Sequence, residues 1–400
     1  MSAAAHFRIT QLATQLAVHR AFQWLHLHQP QLRAWQLEML AIPAPPFGEQ
    51  ARAAWFSERF RELGLSEVEI DAEGNVLGVL APDDSRPFIL LSAHLDTVFP
   101  AGTDTTPTEL EVGGRIVCPG ACDNGAGLTA LLGMIAALRH AGIEPPSPIL
   151  FAANVGEEGE GDLRGMRYLF CKGRYRSRIG GALALEGAGN ATVVSQALGS
   201  RRFRVTISGP GGHSWTDAGA PNPIMLLSRG LVDLDSIALP DEPRTVLSAG
   251  LISGGTSINS IPESASVLLD LRSTDAGQLQ SLEREVHRSF ELAVSGARHA
   301  AVTLRIELIG DRPTGQLADD APLLGTVRAV DRHLGLRTEF RIGSTDANIP
   351  LSLGLPALAI SAGGTGGGIH TLGEWYDPTG REIALRRILL TLLDLSSGDL

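Results

Sequence analysis

The chain has 400 residues, 44% of them hydrophobic and 19% charged, and a formal charge of −11. That length exceeds what one hydrophobic core usually serves, so two domains are expected. The acidic balance argues against nucleic acid or an anionic membrane as partner, since both select for clustered Lys and Arg. No apolar run approaches the roughly 18 residues of a membrane span.

The opening stretch, "MSAAAHFRITQLATQLAVHRAFQWLHLHQP", lacks the charged start, apolar run and cleavage site of a secretory signal. It reads as an extra helical arm whose His6, His19, His26 and His28 are structural or solvated. Residues Gln31 to Leu63 follow as helix, broken by the turn "IPAPPFGE". Apolar strands then alternate with amphipathic helices: "EVEI", "NVLGVLA", "PFILLSA", the helix "GAGLTALLGMIAALRHAG", "SPILFAAN", "GGALALE" and, much later, "LPALAISA". Near-continuous apolar strands between helices predict an α/β sheet covered on both faces. From Gly199 to Gly310 the order is strand, helix, strand, strand, helix, strand, the split βαβ pattern of a small two-layer domain. The expected organisation is a catalytic α/β/α sandwich from 1–198 and 312–400, interrupted by a ferredoxin-like domain at 199–311. Three cysteines, Cys118, Cys122 and Cys171, are too few for a disulfide framework and point to a reducing cytoplasm. Cys118 and Cys122 have no second thiolate pair with which to form a structural zinc site.

The charged residues sit where the strands end. "PFILLSA" runs into His94 and Asp96, "SPILFAAN" into Glu157 and Glu158, "GGALAL" into Glu186, and "LPALAISA" through glycines to His370. Asp123 stands in "GACDNGAG", just before a helix. Ligands of open α/β sheets bind beyond the carboxyl ends of the strands. Any one of these residues alone reads as a backbone-satisfied histidine or a solvated acidic loop. Together they offer the imidazole nitrogens and carboxylate oxygens of a dinuclear zinc site.

The chain resembles the co-catalytic zinc peptidases and deacylases, a family that includes glutamate carboxypeptidase, peptidase T, aminoacylase, acetylornithine deacetylase and succinyl-diaminopimelate desuccinylase. The matching stretches, in the family's order, are "SAHLDTV", "GACDNGAG", "NVGEEGEG", "ALEG", "GPGGHSW", "GGTSINSIPESASVLLDLR", "GSTDA" and "GGGIHT". The resemblance implies two Zn²⁺ per chain, with Co²⁺ or Mn²⁺ as substitutes. His94 and Glu186 would hold one ion, Glu158 and His370 the other, and Asp123 would bridge them. Asp96 would orient His94, and Glu157 would act as general base. The peptide bond after the bridging Asp is cis in the family, so Asp123–Asn124 is expected to share it.

The resemblance further implies that the inserted domain is a lid and dimerisation surface. His213 would reach the active site of a homodimer partner and steady the oxyanion, while Asn259 and Arg272 would bind substrate. The implied reaction is hydrolysis of an amide in a small peptide, with an N-acyl amino acid as the alternative substrate. Glu186 is more typical of the carboxypeptidases and deacylases, and "IPAPPFGE" resembles openings seen across the peptidase branches. Other classes fit less well. A non-catalytic binding protein on this fold would lack a ligand or the base, and none is missing here. The run "GAGLTA" formally fits a dinucleotide fingerprint but does not directly follow an apolar strand. No G-x-S-x-G elbow of a serine hydrolase is present.

Overall fold

Apolar residues run almost unbroken through Phe88–His94, Ile149–Asn154, Ile179–Leu185 and Ala357–Ile360, and these segments form neighbouring parallel strands. In this computed structural model, which describes residues 3–81, 83, 85–109, 114–295 and 302–398, every residue of Phe88–His94 is buried. Successive strand side chains point to opposite faces. Ile89 and Leu91 therefore join one core and Phe88 and Leu90 the other. Antiparallel strands Val76–Leu80 and Ser66–Ile70 extend one edge. Thr192–Ala197, Gly315–Gln316 and Glu339–Gly343 extend the other, giving nine strands among the described residues.

The helix Gly125–Ala141 is apolar around most of its circumference, the pattern of a helix covered on all sides. Asn124 caps its start, Oδ1 accepting the Gly127 N–H at 3.0 Å, and left-handed Gly142 ends it. Helices Leu16–Leu27 and Gln29–Leu40 lie against it. At Gly133 a Cβ would stand 3.2 Å from Leu32 Cδ2, so glycine sets the closeness of that approach. The helical arm expected for the opening residues is thus two helices, Ala3–Ala13 and Leu16–Leu27. Two of the opening histidines make ordinary contacts: His26 pairs with Glu382 at 2.7 Å, and His28 stacks on Trp24.

The chain divides into two units, residues 1–197 with 315–400, and residues 198–314. The smaller unit has four antiparallel strands in the spatial order Thr245–Gly254, Ser264–Ser273, Gly199–Ser208, Thr303–Arg312. Helices Pro223–Asp235 and Ala276–Ser295 pack on one face of that sheet. With one face covered, alternate residues are buried, and Ala265, Val267, Leu269 and Leu271 form that side of Ser264–Ser273. This is the ferredoxin-like βαββαβ arrangement. Among the described residues no helix is long and apolar enough to cross a membrane.

Candidate metal centre

The four central parallel strands deliver their chemistry at one end. His94 is the last residue of its strand, Glu186 directly follows Leu185, and Glu157 and Glu158 follow Asn154 after a two-residue turn. Left-handed Gly156 (φ 65°) makes that turn possible. Asp123 comes from the loop before Gly125, across a cis Asp123–Asn124 peptide bond. His370, itself left-handed (φ 64°), comes from the glycine-rich segment after Ala357–Ile360.

These residues meet. Asp123 Oδ1 lies 3.2 Å from His94 Nε2, and Asp123 Oδ2 lies 3.1 Å from His370 Nε2. Glu186 Oε1 is 3.6 Å from His94 Nε2, and Glu158 Oε1 is 3.1 Å from His370 Nε2. Two clusters share one carboxylate: His94, Asp123 and Glu186, then Asp123, Glu158 and His370. Each offers ligand atoms within 4.8 Å of one another, as does a third group of His94, Glu157 and Glu158.

The donor set fits divalent cations. His94 Nε2 and Asp123 Oδ1 are both buried and close, yet neither has a hydrogen bond of acceptable geometry. Buried polar atoms are normally satisfied, so a facing pair without an aligned proton between them suits an ion. Imidazole and carboxylate are zinc's usual nitrogen and oxygen donors.

Charge in the cluster is finely opposed. Burial pushes Glu158 up to about 8, partly countered by its bond to His370 and reinforced by Asp123 and Glu157. Burial also raises Glu186 to about 7 against the pull of His94. Bonds to Asp123 and Glu158 raise His370 to about 10. Burial alone would drive His94 neutral, but Glu186, Asp123 and Asp96 outweigh it and lift the imidazole well above its ordinary value. The imidazoles of His94 and His370 thus hold their protons more tightly than a free ring does, and a cation recruiting them must expel those protons. Cation uptake near neutrality should release at least about one proton per chain, and affinity should fall as pH falls. An indicator dye in weak buffer measures this; uptake without acidification would exclude these two side chains as ligands.

Asp96 is wholly buried and does more than orient a ring. His94 Nδ1–H donates to the Asp96 backbone carbonyl at 3.0 Å, with the Asp96 carboxylate 3.6 Å away. That bond leaves Nε2 as the face a cation can take once the ring has shed its second proton. The Asp96 carboxylate instead accepts the backbone N–H groups of Glu157 (3.0 Å) and Glu158 (2.8 Å). One residue therefore fixes both the histidine and the glutamate turn.

Further residues support the site without any motif-like spacing. Buried Arg52 donates to the Leu95 carbonyl at 2.7 Å and to that of Ile42. Asn124 Nδ2 reaches the Leu185 carbonyl at 2.8 Å, beside Glu186. Asp346, from "GSTDA", accepts from Asn154 Nδ2 at 2.8 Å. Asn124 and Asp346 stand within quoted family stretches, which could have signalled those two from sequence; nothing marks Arg52.

In the smaller unit, His213 and Asn259 lie on two short paired segments: His213 is opposite Ser260, and Ser214 N–H donates to the Asn259 carbonyl at 3.0 Å. His213 Nδ1 accepts the N–H groups of Trp215 (3.1 Å) and Thr216 (3.3 Å). The proton of the neutral ring must then sit on Nε2, where it can be donated. Arg272 is on the strand Ser264–Ser273 and its Nε donates to Asp270 at 2.7 Å.

Known proteins share this organisation. A probable carboxypeptidase of Aspergillus clavatus is 31% identical over 243 residues, which are 54% of this chain and 52% of that protein. The chain thus spans about half the length of that relative. The crystal structure of a Staphylococcus aureus tripeptidase superposes with a TM-score of 0.76 at 22% identity, covering 92% of this chain and 98% of that one. The Bacillus subtilis YxeP protein, described as a dinuclear metal-binding peptidase of the M20 family, gives 0.67 at 15% identity over 92% and 98%. These two structural likenesses speak to the fold. Residues 90–393 match the sequence model of peptidase family M20/M25/M40, and that match covers all five residues of the two clusters sharing Asp123. The chain belongs to peptidase family M20/M25/M40.

Proposed function

We propose that the protein hydrolyses an amide bond of small peptides as a dizinc exopeptidase. The observation that carries the reading is Asp123, whose two oxygens face two different imidazoles at 3.2 and 3.1 Å. His94 and Glu186 would hold one ion and Glu158 and His370 the other, with Asp123 shared between them. Such a pair supplies a nucleophilic water at neutral pH and a Lewis acid for the substrate carbonyl. Glu157, buried but anchored through its own N–H to Asp96, takes the water's proton and passes it to the leaving nitrogen. Asp96 acts as a positioning residue.

His213 donates from Nε2 to the oxyanion in the active site of a second copy, supported by the two backbone N–H groups that bond its Nδ1. Arg272 and Asn259 bind the substrate, the arginine through its planar fork on a carboxylate. Homodimerisation through residues 199–311 is supported by Thr245–Gly254, an edge strand with seven exposed residues at its end and Leu251 and Ile252 60% and 57% exposed. A long apolar edge invites pairing with another chain. We place the enzyme in the cytoplasm, a reading supported by its three unpaired cysteines.

The names borne by the fungal carboxypeptidase and the staphylococcal tripeptidase favour peptides over N-acyl amino acids. A mixed pool of both, incubated with zinc-loaded and with chelator-treated protein and followed by mass spectrometry, tests the choice. Short peptides should disappear only with zinc. Consumption of N-acyl amino acids in their place would make the protein a deacylase, and no turnover with both ions bound would overturn amide hydrolysis.

A further inference from the structure

Glu374 lies four residues beyond His370 and has no exposed surface. A buried carboxylate is costly unless its oxygens accept hydrogen bonds. Here Oε1 accepts the backbone N–H groups of Cys122 and Asp123, both at 2.8 Å, and Oε2 accepts that of Gly120 at 2.9 Å. The Glu374 carbonyl also accepts the Cys118 N–H at 2.9 Å. One residue therefore closes the whole Cys118–Asp123 loop onto the segment that carries His370. That segment is itself tight, with Thr371 N–H bonded to the Gly368 carbonyl at 3.0 Å and Glu374 N–H to the Thr371 carbonyl at 3.1 Å. Little slack remains between the Glu374 carboxylate and the His370 ring.

We propose that Glu374 is a positioning residue that sets the spacing between Asp123 and His370, and so the affinity for the cation those two share with Glu158. The inference rests on the ligand assignment above. His94 and Glu186 do not depend on Glu374, because each ends or follows its own central strand and His94 is held by Asp96. The two cations should therefore respond unequally when Glu374 is changed. Glu374→Gln keeps the shape but turns an –NH₂ donor toward backbone donors, so at least one of the three bonds is lost.

The test titrates metal-free wild-type and Glu374→Gln protein with cobalt(II), following the visible absorption and the cobalt bound per chain. Wild type should take up two ions. The variant should bind one with near-native affinity and the other about ten- to a hundredfold more weakly, the usual effect of losing an outer partner. Equal weakening of both ions, or none, overturns the proposal, because a merely structural role would not single out one ion. Hydrogen exchange in metal-free wild type covers the case of a variant that fails to fold. The amides of Gly120, Cys122 and Asp123 should be protected, and their free exchange within an otherwise protected protein overturns the proposal as well. If wild type itself binds no pair of cobalt ions, the ligand assignment fails and the role of Glu374 falls with it.

Discussion

A Glu157→Gln chain should retain two cations and lose about a thousandfold or more in kcat/KM, roughly 4 kcal/mol of transition-state stabilisation. The size follows from what the substitution removes. The amide has the shape of the carboxylate and can still accept a hydrogen bond, but it cannot take and return a proton at neutral pH. The backbone around it has reason to stay in place, because the N–H groups of Glu157 and Glu158 bond to the Asp96 carboxylate and not to the Glu157 side chain. Kinetics on a peptide that the wild type cleaves, paired with elemental analysis of bound metal, gives both readings. A variant that turns over normally would remove Glu157 from the chemistry. A variant that loses an ion would make it a ligand, which its grouping with His94 and Glu158 allows.

Asp123→Asn should be the most damaging single change to metal binding. Each Asp123 oxygen faces a different histidine, so neutralising the carboxylate weakens both cation positions at once. One amide oxygen can still coordinate, but the –NH₂ then points at the other position and cannot. The expected drop in affinity exceeds the ~100-fold typical of losing an outer partner. Metal content after dialysis should fall from two ions per chain to fewer than one, with hydrolysis at background. Loss of only one ion would show that Asp123 serves a single position. Retention of both would show that it bridges nothing.

The side chains that meet at the candidate metal centre were legible in the sequence because they stand at the ends of strands that are easy to read. A strand buried on both faces is continuous in apolar residues, and "PFILLSA", "SPILFAAN", "GGALAL" and "LPALAISA" each stop just before a titratable side chain or lead toward one. The helix Gly125–Ala141 and the six elements of the smaller unit were as clear. Two strands on one side of the sheet were not: "TVVSQA" and "EFRIG" mix polar and apolar residues, as positions half open to solvent do. The supporting residues were hidden for another reason. Asp96, Glu374 and Arg52 act on backbone N–H and carbonyl groups, which every residue possesses, so no residue type at the far end marks the contact. Asp96 could be singled out as a partner of His94, yet its grip on the glutamate turn depends on a register between two strands. The proton position on His213 is likewise set by the main chain of Trp215 and Thr216.

The match to the family's sequence model begins at residue 90, yet the core begins far earlier. Ile9, Leu25 and Leu32 have no exposed surface, and the helices Leu16–Leu27 and Gln29–Leu40 roof the helix that starts just behind Asp123. The bounds of that match therefore do not mark where cooperative folding starts. A chain trimmed to residues 90–393 would keep all five residues of the two clusters sharing Asp123 and uncover the oily flank of the helix behind Asp123. A substitution in the first forty residues should then be felt through packing volume at that helix.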